Sequence, residues 1–500
     1  MNMQFPRSSG ILLHPTSLAS RHGIGDLGAE ARRFVDFLAQ AGQKLWQVLP
    51  LGPTGYGESP YQCFSAWAGN PLLISLDWLV EQECLDASAL SGAPQFPEDR
   101  VDFERLIPWK TALLQSAAAN RSGFGDFCQA NRHWLDDFAL FAALKAQHQG
   151  AAWTCWEPGA RDRDPKALAR WQEQLAEPIA AQKFLQFAFF EQWRELREYA
   201  RERGVRIMGD LPIYVAHDSC DVWVHRQYFH LDAQGNPTVV SGVPPDYFSA
   251  TGQLWGNPIY HWDALAADGY RWWFDRFRAT FEMVDMIRLD HFRGFEAYWQ
   301  IPASEPTAVH GRWVKGPGAA LFRAAQEALG ELPLVAENLG VITPEVEAIR
   351  EEFGFPGMAV LQFAFGNDPQ APTFRPHNYP RQVVAYTGTH DNDTTVGWWR
   401  SKGSGDSTRS EEDIRRERDF AMRYLDTDGK EMEWTFIRTL EASVADTVLI
   451  PLQDVLGLGT EARMNQPATL GGNWRWRYRP GALKPELAQR LRELAELYDR

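Results

Sequence analysis

The sequence predicts an α/β fold, a parallel (β/α)8 TIM barrel with large loop insertions. Two observations carry that expectation. Eight short apolar runs, each ending in a polar cluster, recur along the 500 residues. Between them lie segments with apolar residues at helical spacing, so strands and helices alternate. A bare barrel needs roughly 250 residues, which leaves about half of this chain to insertions. A doubly wound sheet is the alternative, but no G-x-G-x-x-G or phosphate-binding loop follows any strand.

The first run is GILLHPTS (10–17), followed by Phe34, Phe37, Leu38 and Ala41 on one helical face, with Gly42 as a stop. KLWQVLPLGP (44–53) is the second strand and VRIMGDLPIYV (205–215) the third. Residues 54–200 between them form an insertion that reads mostly helical, ending in a helix with Phe189, Trp193, Leu196 and Ala200 on one face. A second insertion, 216–265, is rich in Gly, Pro and aromatics and reads as a loop over the strand ends. The remaining strands are VDMIRLDHF (284–292), LPLVAENLG (332–340), GMAVLQFAFG (357–366), VVAYTGTHD (383–391) and TVLIPLQDV (447–455). Leu321, Ala324, Ala325 and Ala328 mark a helix stopped by Gly330; Val346, Ile349 and Phe353 mark another, with Thr343 as N-cap and Pro344 at its first position. Residues 1–500 are therefore expected to form one catalytic barrel without a separate C-terminal β domain.

Composition narrows the partners. A net charge of −15 argues against nucleic acid and anionic membrane, which both need basic patches. No run has the length and apolarity of a membrane span, and the first residues lack a signal-peptide core. Five scattered cysteines form no C-x-x-C pair, which fits a reducing cytoplasm. The 21 tryptophans are first of all a core. Aromatic faces also stack on sugar rings, so carbohydrate enters as a ligand class.

In a barrel the C-terminal strand ends share one face, where active sites form. Asp210, Asp290, Glu337 and Asp391 each sit at or near such an end. Taken singly, each is as well explained as a helix N-cap or half of a buried ion pair. Four converging on one face are not. Arg288 stands two residues before Asp290, on the same side of its strand, and His291, Arg293 and His390 flank the cluster. Paired carboxylates beside a sugar-stacking surface are the machinery of glycoside chemistry. Arg288 beside Asp290 favours an ionised nucleophile; the apolar approach LPLVA to Glu337 favours a protonated acid.

At this point GILLHPTSL, GPTGYGESPYQCFSAWAGNP, GDLPIYVAHDS, GVPPDYFSATGQLWGNPIY, IRLDHFRGF, AENLGVITPEV, YTGTHDNDT and NWRWR resemble the 4-α-glucanotransferases of glycoside hydrolase family 77, relatives of the α-amylases, nearly end to end. The resemblance implies a retaining transfer of α-1,4-glucan segments from a donor glucan to an acceptor, through a covalent glycosyl-enzyme. A plain α-glucan hydrolase is the nearest alternative. Asp290 would be the nucleophile, Glu337 the acid/base, and Asp391 the holder of the donor sugar's hydroxyls. Arg288 would orient Asp290; Asp210, His291 and His390 would contact or support the sugar at the cleavage point, with Tyr61 stacked on it. Tyr56 resembles a position at a second, outlying glucan site in some members. The loop carrying Asp246, Tyr247, Phe248, Gln253 and Trp255 would overhang the cleft and touch acceptor sugars. Substrates would be maltooligosaccharides and glucans derived from starch or glycogen, with no metal, cofactor or obligate protein partner. The chain departs from the family's usual AEDLG at Asn338, and from an expected glycine at Ala468.

Overall fold

The computed structural model describes residues 7–119, 123–245, 251–402, 410–467, 469 and 471–500. Its centre is an eight-stranded parallel sheet. The strands are β1 (Ser8–Leu12), β2 (Leu45–Gln47), β3 (Arg206–Pro212), β4 (Met286–Asp290), β5 (Leu334–Ala336), β6 (Gly357–Val360), β7 (Val383–Tyr386) and β8 (Thr447–Pro451). They pair in the order β6-β7-β8-β1-β2-β3-β4-β5, all parallel, so the sheet curls into a barrel.

The barrel's seam lies between β5 and β6, where no regular ladder forms. Two hydrogen bonds span it. The Ala336 N–H donates to the Pro356 carbonyl at 2.8 Å, and the Met358 N–H donates to Asn338 Oδ1 at 2.8 Å. The Asn338 amide nitrogen in turn donates to Glu347 Oε1 at 2.7 Å. An aspartate at 338 would set one carboxylate against another, so the departure at this position is matched by Glu347.

Strand periodicity explains the charge in β4. Side chains alternate between barrel interior and helix layer. Ile287 and Leu289 pack outward into the main core, while Met286 packs into the barrel interior with Leu45, Met208, Val335, Val384 and Leu449. Arg288 and Asp290 share Met286's side, one and two steps higher. The strand thus runs from an apolar plug to a charged mouth.

Between β2 and β3 the chain forms helices, among them Phe103–Ala119, Gly125–Gln147 and Ala176–Glu202. Phe189, Trp193, Leu196 and Ala200 of the last are all buried. Each large apolar side chain buried in this way contributes about 1.5–3 kcal/mol. That sum far exceeds helix propensity, so packing holds this helix in place. Its Gln186 and Gln192 accept the Gly69 and Ser75 N–H groups, each at 2.7 Å, and so fix the chain that leaves β2.

The segment 216–265 contains more than loop. It holds the helix Cys220–Val224 and the strands Val239–Val243 and Gln253–Pro258. These strands join Ala297–Pro302 and Arg312–Lys315 in a four-stranded antiparallel sheet. Glycine and proline hid this sheet, since Gly242, Gly256 and Pro258 interrupt its alternation. The strand runs are also shorter than their apolar stretches: β6 ends at Val360 and turns into the 3-10 helix Leu361–Ala364.

Candidate active site

Strand ends bring the charged groups together. Arg288 Nη1 lies 2.7 Å from Asp210 Oδ2 and 2.9 Å from Asp290 Oδ1, so one guanidinium joins β3 to the end of β4. The two carboxylates differ in access. The Asp210 side chain is fully buried, whereas that of Asp290 is 27% exposed. Asp210 is closed over by Tyr61, whose hydroxyl donates to Oδ2 at 2.9 Å. Burial pushes the Asp210 carboxyl up, and Arg288 and the Tyr61 hydroxyl pull it back. Asp210 therefore sits behind the more exposed Asp290, with its oxygens engaged by Arg288 and Tyr61.

Glu337 follows β5 directly and is held by two backbone donors. The His291 N–H donates to Oε2 at 2.8 Å and the Leu339 N–H to Oε1 at 2.9 Å. His291 reaches this position through a left-handed backbone, φ 52°. A non-glycine residue there is sterically costly and marks a geometry imposed by its surroundings. Withdrawal from bulk water pushes the Glu337 carboxyl well above the usual range; the negative charge of Asp290 adds to this, while Arg288 and the two N–H groups oppose it. Burial also drives the His291 ring down to about 4, so the ring is neutral at physiological pH.

Asp391 lies five residues beyond the end of β7, in a loop. Its side chain is 45% exposed. Asn465 Nδ2 donates to Oδ1 at 2.7 Å, His390 Nε2 lies 3.3 Å from the same oxygen, and Arg463 Nη2 donates to the Asp391 carbonyl at 2.6 Å. The His390 ring is buried and stacks on Tyr61 with centroids 5.1 Å apart. Trp474 closes behind both rings, at 5.9 Å from Tyr61 and 6.0 Å from His390. It too has a positive φ, 63°. Asn465 and Arg463 carried no signal in the sequence beyond being polar; their work depends on the fold of a loop far along the chain.

The antiparallel sheet supplies a wall. Trp255 stands edge-on to the His291 ring, centroids 4.7 Å apart, and its Nε1 donates to Gln253 Oε1 at 3.1 Å. Gln253 thus braces Trp255. Tyr56 is 75% exposed on the 3-10 turn Tyr56–Glu58. Asp246, Tyr247, Phe248 and Ala468 lie outside the described residues. Among the described residues no group of three or more His, Cys, Asp or Glu side chains is arranged to hold a metal ion.

A family profile described as 4-alpha-glucanotransferase, of glycoside hydrolase family 77, matches residues 13–484. The chain belongs to that family. It is 51% identical to the 4-alpha-glucanotransferase of Synechocystis over 99% of this chain and 98% of the relative, and 50% identical to that of Thermus thermophilus over the full length of both. The amylomaltase of Streptococcus agalactiae, solved in complex with acarbose, superposes with a TM-score of 0.94 at 38% identity and 99% coverage of both chains. The activity of the 4-alpha-glucanotransferase family is transfer of α-1,4-glucan segments, and this chain is a transferase of that kind. Among the described residues no helix is long and apolar enough to cross a membrane.

Proposed function

We propose that the cleft at the C-terminal mouth of the barrel carries out this transfer with retention, through a glycosyl ester on Asp290. The single observation that carries the assignment is the divergence between two carboxylates of one site. Asp290 is paired with Arg288 at 2.9 Å and open to the cleft. Glu337 is held by backbone donors and is pushed toward the protonated form. Opposed environments of this kind separate nucleophile from acid.

In the first step the Glu337 carboxylic acid gives its proton to the leaving glycosidic oxygen while an Asp290 oxygen attacks the anomeric carbon. The glycosidic bond breaks and an ester forms. In the second step the acceptor's 4-hydroxyl gives its proton to the Glu337 carboxylate and its oxygen attacks the same carbon. The ester breaks, Asp290 is restored, and two inversions leave the α configuration. Asp391, half exposed and held by Asn465, grips the donor sugar's hydroxyls; Tyr61 and His390 shape the pocket beside it.

Residues 54–200 we take as the insertion that buttresses this face, and residues 216–265 as its lid, with Trp255 placed over His291. Substrates on this reading are maltooligosaccharides and glucans from starch or glycogen. Five free cysteines accord with the cytoplasm. The test is to trap the ester with a slow fluorinated glucosyl donor. Trypsin then releases residues 289–293, between Arg288 and Arg293, carrying one added sugar. A label on any other peptide overturns the assignment.

A further inference from the structure

The loop that carries His390 and Asp391 leaves β7 at Thr387 and enters the helix Thr395–Arg400. Both of its ends are tied to one carboxylate. Asp454, in the short helix Leu452–Val455 directly after β8, has no solvent exposure. Its Oδ2 accepts the Thr387 hydroxyl at 2.6 Å and the Thr395 hydroxyl at 2.8 Å, and its Oδ1 accepts the Thr395 N–H at 2.7 Å.

We infer that Asp454 is a positioning residue for the transfer reaction, a staple that sets the path of the loop presenting Asp391 and His390. The inference rests on the reading of Asp391 and His390 as sugar-facing groups. A buried carboxylate is a poor way to gain stability alone, since well-packed apolar side chains do as well without the desolvation cost. Three convergent donors do something packing does not: they fix both loop ends in distance and direction. Contacts within the loop continue the arrangement. Gln362 Nε2 donates to the Asp393 carbonyl at 2.8 Å, and the Thr460 hydroxyl donates to Asp393 Oδ2 at 2.8 Å. With the ends and middle held, Asn465 meets Asp391 at 2.7 Å. Releasing either end lets the carboxylate drift from its sugar.

Asparagine cannot replace this carboxylate without loss. With its oxygen toward the two hydroxyls, its NH2 faces the Thr395 N–H, donor against donor; turned over, it leaves both hydroxyl protons without their acceptor. The variants Asp454→Asn, Thr387→Val, Thr387→Ser and the double variant of the first two are compared on maltotriose for kcat, KM and Tm. Misplacement of a reacting-site group by about 1 Å costs on the order of a hundredfold. We expect Asp454→Asn and Thr387→Val each to lower kcat about tenfold to a hundredfold, with KM within about twofold. Thr387→Ser keeps the hydroxyl and restores kcat. The double variant is no slower than Asp454→Asn, because the two residues make one contact. Wild-type kcat in Thr387→Val, with only Tm lowered, overturns the inference, as does a double variant whose losses multiply. Asp391→Asn in the same assay separates the two claims. Full turnover there defeats the reading of Asp391; a dead Asp391→Asn beside active Thr387→Val and Asp454→Asn defeats the staple alone.

Discussion

At each end of the barrel an arginine is buried against a carboxylate, and the two pairs are finished differently. At the N-terminal end Arg500 Nε lies 3.0 Å from Glu441 Oε2, and both side chains are fully buried. Ser9 Oγ donates to the same oxygen at 2.6 Å; the Arg500 Nε–H also donates to the Glu441 carbonyl, and Nη2 donates to the carbonyls of Leu440 and Ser443. This pair is closed by protein on every side. At the C-terminal end Arg288 is equally buried, but one of its two carboxylates, Asp290, opens to the cleft. Glu337 and Asp391 stand near it, so carboxyl groups outnumber the buried cation. A closed pair holds a fold together; an open one leaves charge for a ligand or a proton to meet. The same chemical unit therefore separates the stable end of the barrel from its reactive end.

The largest expected effect breaks the open pair. Asp290→Asn removes the carboxylate proposed as nucleophile while leaving Arg288 its partner Asp210, so the fold should persist. We expect kcat on maltotriose to fall by about a thousandfold or more, with Tm nearly unchanged. A variant retaining more than about a thousandth of wild-type kcat removes Asp290 from the role of nucleophile.

Next comes Glu337, whose carboxyl burial holds above the ordinary range. The acid must be protonated for the leaving sugar to depart, so activity is lost as pH rises through that raised pKa, giving an alkaline limb. Glu337→Gln should turn over natural donors at least about a hundredfold more slowly. A glucosyl fluoride, whose leaving group needs no proton, should still glycosylate the variant, now without that limb. Azide should then release an α-configured glucosyl azide. A β product would mean inversion, with no ester formed.

The closed pair gives the counterpart, a loss of stability without loss of chemistry. Arg500→Ala leaves Glu441 buried without its cation, and breaking a buried pair in this way costs about 3–5 kcal/mol. Denaturant unfolding should register that loss, while kcat per folded molecule stays as in the wild type. A fall in kcat equal to that of Asp290→Asn would erase the distinction between the two ends.

How much of this was legible follows from the same physics. All eight barrel strands were readable because strands buried on both faces must be apolar runs, and a run that ends in charge must end at a surface or a site. Asp290 and Glu337 declared themselves that way, one at the last residue of β4 and one just beyond β5. Asp391 was visible only as part of a longer run; in the structure it belongs to a loop, and its position depends on Asn465 and Asp454. Those two residues had no periodicity to betray them. Asp454 lay inside the stretch TVLIPLQDV, read as one strand to 455, whereas β8 stops at Pro451 and turns into a helix. The antiparallel sheet behind Trp255 was hidden for the opposite reason, since its glycines and prolines read as loop. Groups that act by alternation can be seen in a sequence; groups that meet across 67 or 74 residues of intervening chain cannot.

Trp255 has the smallest expected effect and the finest discrimination. Its ring touches His291, whose N–H holds Glu337, so it stands beside Glu337 without bonding to it. Gln253 fixes its orientation through Nε1. Removing the ring should spare the first step, since Asp290, Arg288 and the Glu337 donors keep their partners. The second step is different, because water and an acceptor sugar compete for the ester. An aromatic wall excludes the one and stacks on the other, so both changes act in the same direction. Trp255→Ala should therefore lower kcat by about threefold or less yet raise the ratio of hydrolysis to transfer by about tenfold, an energetic change of about 1.4 kcal/mol. Product analysis on maltotriose reads this directly: free glucose and maltose increase while the ladder of longer glucans shortens. An unchanged ratio with slower cleavage would make Trp255 a support for His291 and Glu337, and would move the competition between water and acceptor to some other part of the cleft.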